Sequence, residues 1–386
     1  MHRKSVYFLV AAIGILIVIG CVMLSSTAAF AKEGIRSATF IKQQFVGLGV
    51  GFVACVVAAN LDYHFWRKWW PWLFGLSLVL LALCFVPGIG KEVGGSKRWL
   101  NLRVANFQPS ELAKLATIAA IAWWYSREDV DVRELLKGFI IPGAIAVIPL
   151  LLIAPEVDMG CTALIGATTL SMMFLAGARL LYLIPVIAGG LGGGLWVATH
   201  MHERLGRLLA FLDLEKHRLG AGLQQYQALI AFGSGGVEGL GLGNSRQKLA
   251  YLPEAHTDFI FSIIGEELGL RCTLLMVFCY VLIILCGVLI SMNARDRFGS
   301  LLGYGIVVVI ALQAAVNIGV NTALLPNKGL PLPFVSYGGS NLAFCLLCVG
   351  ILINIYRQGL TEKEVRQATA LAARTKARAR KLAVRI

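Results

Sequence analysis

The chain has 386 residues, of which 58% are hydrophobic and only 15% are charged, and its mean hydropathy is +0.74. This composition excludes a water-soluble globular enzyme and indicates an integral membrane protein. The formal net charge of +14 is divided between loops and a basic tail. Because no nucleic-acid-binding module accompanies these charges, we expect the tail to bind anionic membrane lipid, or to form a solvated helix, and not to bind nucleic acid.

Ten apolar segments have the length that crosses a bilayer, which is about 20 residues. They cover residues 6–30, 43–61, 69–87, 108–125, 139–154, 160–177, 180–199, 269–292, 299–322 and 340–357. We therefore predict an all-α polytopic membrane protein with about ten transmembrane helices and a large extracytoplasmic loop between the seventh and the eighth. The membrane domain is residues 1–358, with the large outer loop at about 200–268, and residues 359–386 form a basic cytoplasmic tail.

The orientation follows from the positive charges. Arg3 and Lys4 precede the first apolar segment, for which a cleaved signal peptide is the alternative to a membrane span. With a cytoplasmic N-terminus, ten spans return the C-terminus to the cytoplasm. The nine Lys or Arg residues from 357 to 386 agree with that orientation.

Two predicted outer loops nevertheless carry many cations. They are Lys91, Lys97, Arg98 and Arg103 in one loop, and Arg204, Arg207, Lys216, Arg218, Arg246 and Lys248 in the other. The positive-inside rule predicts few cations on the outer side. Cations that are retained there suggest an anionic partner such as a diphosphate. The alternative is that long loops are translocated regardless of charge.

The most informative stretch is 251–269, in which Glu254, His256 and Asp258 come just before an apolar segment of a largely apolar chain. A structural alternative is that Thr257 or Asp258 only caps a helix that begins at Phe259. Ionisable groups in apolar surroundings are functional candidates by default. This applies to Glu266 and Glu267, although pairing with Arg271 or Arg246 would make them structural.

Lys114 lies inside the fourth span, one helical turn after Glu111. The simplest explanation of this spacing is an ion pair that faces the protein interior. The glycine-rich segment 233–243 allows either a path for a bulky headgroup or packing between helices.

Two short loops, 155–158 and 326–333, interrupt the membrane pattern with prolines. Non-helical backbone at this depth is tolerated where it is buried in protein or lines a cavity, so we expect both loops to line the active-site cavity. Hydrogen-bond donors are available there from Ser336, Gly338, Gly339 and Ser340. The alternative is that these turn-forming residues only shape the loop.

Four motifs in chain order resemble the SEDS family (shape, elongation, division and sporulation). They are SKRWL with QPSELAK at 96–114, PEVDMG at 155–160, GLGNSRQKLAYLPEAHTDFIF with GEELG at 241–269, and PNKGLPLPFVSYGGS at 326–340. The likeness covers about residues 6–358 and is nearest to the FtsW branch, with RodA as the related branch. The chain departs from the family pattern at Val157, Cys161 and Ala323.

The resemblance implies a peptidoglycan glycosyltransferase that polymerises lipid II on the outer face of the bacterial cytoplasmic membrane. It makes Asp258 the essential catalytic carboxylate and Lys114 functionally important. It also implies a class B penicillin-binding protein and division-site regulators as partners, at the division septum. No redox or group-transfer cofactor is implied.

Glycosyl transfer from a sugar diphosphate needs a base for the attacking hydroxyl and positive charge for the leaving group. We assign Asp258 as that base. The residues that we expect at the substrate are Lys97, Arg98, Trp99, Glu111, Lys114, Arg246, Lys248, Glu254, His256, Lys328, Ser336, Gly338, Gly339 and Ser340. Assistance by a divalent cation, Mg²⁺ or Mn²⁺, near Asp258 or Glu254 stays open, because no cluster shows dedicated ligand spacing.

Two other classes of function remain as alternatives. A lipid II flippase would use the buried charges Glu111 and Lys114 as part of a transit path. A scaffold would only activate a transpeptidase through its helices. A carboxylate on the outer face that is required for polymer distinguishes the enzyme from both.

Overall fold

The structure, a computed structural model, describes residues 4–28, 34–93, 96–101, 106–156, 158–200, 202–248 and 256–360. Within these ranges the chain is mostly helical. The helices are α1 (Ser5–Ala28), α2 (Gly34–Asn60), α3 (His64–Leu83), α4 (Pro109–Tyr125), α5 (Ile141–Ile153), α6 (Met159–Ala176), α7 (Leu180–His200), α8 (His202–Leu212), α9 (Leu223–Gly235), α10 (Ile260–Met292), α11 (Arg297–Asn321) and α12 (Gly339–Leu360).

Each of the ten predicted spans coincides with one helix, and α8 and α9 lie in the predicted outer loop. In the described part of the chain, seven helices are long and apolar enough to cross a membrane. They are α1, α2 from Ile41, α5 with its flanking turns, α6, α10, α11 and α12. The protein is therefore a multi-pass membrane protein. The first segment is part of this fold, because α1 packs on α10.

The prediction of an all-α fold missed a small antiparallel sheet in the loop before α4. Its strands are β1 (Gly90–Val93), β2 (Ser96–Asn101) and β3 (Asn106–Phe107), in the order β1-β2-β3. Gly90 pairs with Leu100, and Leu100 pairs with Phe107. Strands this short carry little periodicity of their own, so pairing across the loop decides that they form.

The helix ends follow local chemistry. α4 begins with Pro109 and has Glu111 in its first turn. At this end of a helix the N–H that proline lacks is not needed for an intrahelical hydrogen bond, and a negative charge is favourable. Asp158 caps α6 by accepting a hydrogen bond from Cys161 N at 3.0 Å. Asp296 caps α11 in the same way through Gly299 N.

Close packing between α2 and α12 depends on glycines spaced as in a GxxxG motif. A Cβ on Gly47 would lie 2.5 Å from Gly339 Cα, and a Cβ on Gly51 would lie 2.9 Å from Ala343 Cα. Small residues at this spacing allow two helix backbones to approach closely inside a membrane. This contact fixes α12 and the loop that precedes it.

α10 is broken at Gly269, whose φ of 72° is incompatible with a continuous helix. The predicted eighth span begins at this break. The glycine-rich segment packs its backbone against it: Leu240 N donates to Glu266 O, and Gly241 N donates to Glu267 O. A Cβ on Gly239 would lie 2.3 Å from Glu267 O, so the glycines serve this close backbone contact.

Candidate active site

Asp258 lies in the turn before α10, where its side chain is half-buried. A Cβ on Gly329 would stand 2.6 Å from Asp258 Oδ2, so the carboxylate rests directly against this exposed glycine. The N-cap residue of α10 is Phe259, which makes no side-chain capping bond. Ser262 N instead donates to Asn321 Oδ1 at 3.2 Å, so α11 supplies a capping acceptor for α10.

The proline loop before α12 carries a cation, Lys328, next to the glycine that contacts Asp258. Lys328 precedes Gly329, and its Nζ lies 3.7 Å from Met159 Sδ. A Cβ on Gly160 would lie 3.4 Å from Gly329 O, so the loop before α6 packs on the loop before α12. This convergence of the two predicted cavity loops is what the sequence led us to expect.

Arg98 on β2 joins the same group of segments. Its Nη1 lies 3.7 Å from Asp158 Oδ2, and its side chain is 32% exposed. Gln108 Nε2 also donates to Asp158 Oδ2, at 3.3 Å. Arg98 Nε is buried and has no hydrogen-bond partner among the described residues.

The loop before α12 is bonded to the backbone of the Asp258 turn. Ser336 Oγ donates to Thr257 O at 2.5 Å and accepts from Leu332 N at 2.7 Å. Tyr337 N donates to His256 O, and the two rings stand 5.7 Å apart. Burial raises the pKa of the Tyr337 phenol, which stays protonated and donates to Gln43 Oε1.

Lys114 and Glu111 lie deeper and form the predicted interior ion pair. Their side chains are 1% and 4% exposed, and Lys114 Nζ is 2.6 Å from Glu111 Oε2. Lys114 Nζ also donates to Gln313 Oε1 at 3.2 Å. Gln313 Nε2 donates in turn to Pro331 O at 2.8 Å, which connects the buried pair to the loop that carries Gly329.

Glu266 and Glu267 are fully buried, and they accept hydrogen bonds both from backbone amides and from side-chain donors. Glu267 accepts from Gly243 N at 3.0 Å and pairs with Lys248 Nζ at 2.7 Å. Glu266 accepts from Arg246 N at 3.0 Å. We call residues 243–248 together with these two glutamates the carboxylate clamp.

The cation partners expected for the two glutamates were wrong. Arg271 pairs with exposed Glu238 at 3.1 Å, and Arg246 contributes its backbone amide while its side chain is exposed. Lys248 is the cation of the carboxylate clamp, with a side chain only 1% exposed. The fold brings Lys248 there because α10 and the glycine-rich segment lie against each other, which no spacing in the sequence encodes.

Other predicted substrate residues also have internal partners. Gly338 N donates to Gln44 Oε1 at 3.1 Å, Gly339 packs on Gly47, and Ser340 Oγ donates to Asn106 O at 3.0 Å. Trp99 is half-buried on β2. The side chain of Lys97 and all of Glu254 lie outside the described residues. Substrate contacts by these residues stay predictions.

Among the described residues, no group of three or more His, Cys, Asp or Glu side chains is placed to hold a metal ion. Because Glu254 falls outside those residues, a cation shared by Asp258 and Glu254 stays a prediction.

Sequence reasoning overlooked three amides on α11: Gln313, Asn317 and Asn321, each no more than 1% exposed. Asn317 Nδ2 and Asn321 Nδ2 both donate to Asp258 O, at 2.8 and 2.9 Å. A signal was present, since the three recur every four residues within an apolar span and therefore share one helix face.

Residues 5–360 match the family model of the FtsW/RodA/SpoVE cell cycle proteins. A probable peptidoglycan glycosyltransferase FtsW of Trichlorobacter lovleyi is 41% identical over 338 residues, which cover 87% of this chain and 89% of the relative. The stage V sporulation protein E of Bacillus subtilis is 37% identical over 345 residues, covering 89% and 94%.

Two solved structures share the fold. A chain from a peptidoglycan synthase complex that coordinates polymerization and crosslinking aligns with a TM-score of 0.75 at 24% identity, covering 92% of this chain and 98% of that one. The rod shape determining protein RodA of Thermus thermophilus aligns with a TM-score of 0.67 at 24% identity, covering 90% and 95%. At this identity the likeness concerns the fold alone.

Proposed function

We propose that this chain, which belongs to the FtsW/RodA/SpoVE family, is a peptidoglycan glycosyltransferase that polymerises lipid II with Asp258 as its catalytic base. The observation that carries the proposal is the position of Asp258. Its carboxylate rests against exposed Gly329, in a group of outer segments that also holds Lys328 and Arg98. A base beside cations is the arrangement that glycosyl transfer from a diphosphate requires.

In the reaction, the acceptor GlcNAc 4-hydroxyl attacks the anomeric carbon of the donor MurNAc. The proton of this hydroxyl passes to Asp258, a new carbon–oxygen bond forms, and the bond from the anomeric carbon to the diphosphate breaks. The bonding electrons leave with undecaprenyl diphosphate. Inversion at the anomeric carbon produces a β-1,4 linkage.

The leaving diphosphate needs positive charge but no separate acid, because it departs as a stable anion. Arg98 and Lys328 supply that charge, and exposed Arg246 is a further candidate. A guanidinium suits the phosphate oxygens best, since its planar donors bind two of them together. Mg²⁺ or Mn²⁺ held near Asp258 would add charge at the same position.

We place this reaction on the outer face of the bacterial cytoplasmic membrane, at the division septum. The identity to proteins named FtsW supports the division role, and the multi-pass fold supports the membrane location. A class B penicillin-binding protein is the partner that cross-links the strands, together with division-site regulators. The fold likeness to a chain of a peptidoglycan synthase complex supports such a partner.

The decisive experiment measures glycan made from lipid II by the purified chain, alone and with its penicillin-binding partner. It compares the wild type, Asp258→Asn and Asp213→Asn. Asp213 is a matched control because it is an outer carboxylate that pairs with exposed Lys216 at 2.9 Å. Polymer that persists in Asp213→Asn and disappears in a folded Asp258→Asn variant supports the base assignment.

The remaining outcomes decide against the proposal. Equal polymer from all three proteins removes Asp258 from the chemistry. If the wild type makes no polymer even with its partner, lipid II movement across vesicles measured on the same preparation would establish a flippase. Stimulation of the partner's transpeptidase activity, without polymer or transport, would establish a scaffold.

A further inference from the structure

Three buried amides form a stripe along α11, and the proposed mechanism does not use them directly. Gln313, Asn317 and Asn321 are 1%, 1% and 0% exposed. Polar groups inside a membrane protein cost free energy unless they are hydrogen-bonded, so their partners show what they do there.

The partners are main-chain carbonyls of the two segments that form the candidate active site. Asn317 Nδ2 donates to Asp258 O at 2.8 Å and to Leu330 O at 2.7 Å. Asn321 Nδ2 donates to Asp258 O at 2.9 Å. Gln313 Nε2 donates to Pro331 O at 2.8 Å.

The two asparagines make the Asp258 carbonyl accept two bonds, which uses both of its lone pairs. Asn317 also holds Leu330, the neighbour of the glycine against which the Asp258 carboxylate rests. One side chain therefore fixes both members of the Asp258–Gly329 contact. Asn321 Oδ1 additionally accepts from Ser262 N, which ties the start of α10 to the same stripe.

We infer that Asn317 and Asn321 are positioning residues that hold the Asp258 carboxylate at the acceptor hydroxyl. This inference rests on the proposed function of Asp258 as the base. The asparagines reach the backbone of Asp258, so they act through it and do not touch the reacting atoms. Loss of Asn321 displaces the base while Asn317 still holds Leu330 and the loop that carries Lys328, whereas loss of Asn317 releases both segments.

A matched control exists at the other end of the protein. Asn354 on α12 is 5% exposed, and its Nδ2 donates to Ala59 O at 3.0 Å while its Oδ1 accepts from Tyr63 N at 2.9 Å. It is a buried amide with the same chemistry, located between α2 and α12 near the opposite helix ends. Its removal reports what a purely structural amide contributes.

The experiment compares Asn317→Leu, Asn321→Leu and Asn354→Leu, since leucine has nearly the shape of asparagine without its donors. For each variant, kcat and KM for lipid II, the pH dependence of kcat and the melting temperature are measured on chain with its penicillin-binding partner. We expect kcat to fall about 10- to 100-fold in the first two variants, because small misplacement of a catalytic group has effects of this order. KM should change less than about twofold in Asn321→Leu and by more in Asn317→Leu, because only the latter also releases Leu330 in the Lys328 loop.

Asn354→Leu should lower the melting temperature about as much as Asn317→Leu and Asn321→Leu do. It should leave kcat per folded molecule unchanged. If all three variants lose activity only in proportion to lost folded protein, the positioning role is overturned. If KM rises and kcat does not fall, the asparagines act in binding and the inference is also overturned.

Asn317→Asp tests the inference even if the leucine variants do not fold. Its carboxyl lacks a donor when ionised and regains one O–H when protonated. We expect its kcat, relative to wild type, to rise as the pH is lowered, which a purely structural role does not produce. A kcat ratio that does not change with pH would contradict the inference.

Wild type and Asp258→Asn complete the set. An active wild type with an inactive Asp258→Asn variant upholds the proposed function, and the asparagine variants then test positioning alone. If Asp258→Asn is as active as wild type, the proposed function itself fails.

Discussion

The carboxylates of Asp258 and Glu267 lie in one short segment, yet the fold surrounds them differently. Glu267 is fully buried and accepts from Gly243 N, Ser26 Oγ and Lys248 Nζ. Asp258 is half-buried, and it is its carbonyl that the α11 amides hold. A fully buried carboxylate that buried donors bind holds structure, whereas a half-buried carboxylate on a fixed backbone can meet a substrate.

The largest expected effect tests the Asp258 side of this comparison. Asp258→Asn should lower the rate of glycan synthesis about 10²- to 10⁴-fold, because general-base catalysis contributes this much. The melting temperature should stay within a few degrees of wild type, which is measured by thermal unfolding in detergent. A large loss of stability would mean that Asp258 belongs with the structural carboxylates.

Glu267→Gln tests the other side of the comparison. It leaves buried Lys248 without its counter-charge, which should cost about 3–5 kcal/mol of unfolding free energy. The expected result is a marked drop in melting temperature with normal activity per folded molecule. Selective loss of kcat in a stable Glu267→Gln protein would show that the carboxylate clamp takes part in catalysis.

Gly329→Ala sharpens the assignment of Asp258 without changing its carboxylate. The added methyl group would occupy the space now taken by Asp258 Oδ2, 2.6 Å away, and should displace the carboxylate. We expect kcat to fall about 10²-fold, as misplacement of a catalytic group does. Gly233→Ala is the control, because no atom lies within 4 Å of its added methyl group. Equal kcat in the two variants would contradict the contact.

Lys328, next to Gly329, and the exposed Lys216 should also differ in their effect on the KM for lipid II. Lys328→Gln removes a half-buried cation next to Gly329, and we expect KM for lipid II to rise about tenfold, the worth of one charge-assisted hydrogen bond. Lys216→Gln, which removes an exposed cation paired with Asp213, should leave KM unchanged. The same KM for Lys328→Gln and wild type would remove Lys328 from the diphosphate site.

The smallest expected effect concerns the edge of the carboxylate clamp. Ser26 Oγ donates to Glu267 at 2.8 Å and accepts from Lys248 Nζ at 3.0 Å. Ser26→Ala should reduce the unfolding free energy by about 1–3 kcal/mol, since hydrogen bonds to two charged groups, Glu267 and Lys248, are lost. Thermal unfolding measures this change, and no decrease would mean that water replaces the hydroxyl without cost.

The helices were predictable from the sequence, whereas the small sheet was not. The ten apolar segments predicted ten helices, because the bilayer requires about 20 apolar residues with internally satisfied backbone bonds. The ion pair of Glu111 and Lys114 followed from their spacing within one helix. The three-stranded sheet was missed, since its pairing depends on contacts between short polar strands.

The candidate site was predictable in part. The catalytic role of Asp258 rested on the resemblance to a family, and the structure places Gly329 of the second proline loop against its carboxylate. The amides of α11 were visible as a polar stripe but had no assignable partner, because a hydrogen bond between distant segments leaves no local pattern. The same reason explains why arginines, and not Lys248, were expected to pair with the glutamates.

The sequence by itself determined the membrane class and the number and approximate limits of the apolar helices, because these depend on composition and on the length of apolar runs within one segment. Only the tertiary structure decided which carboxylate is fully buried and which is half-buried. That choice depends on close backbone contacts, such as Gly239 against Glu267 and Gly329 against Asp258. Such contacts join segments far apart in the chain, and packing at the ångström scale determines them.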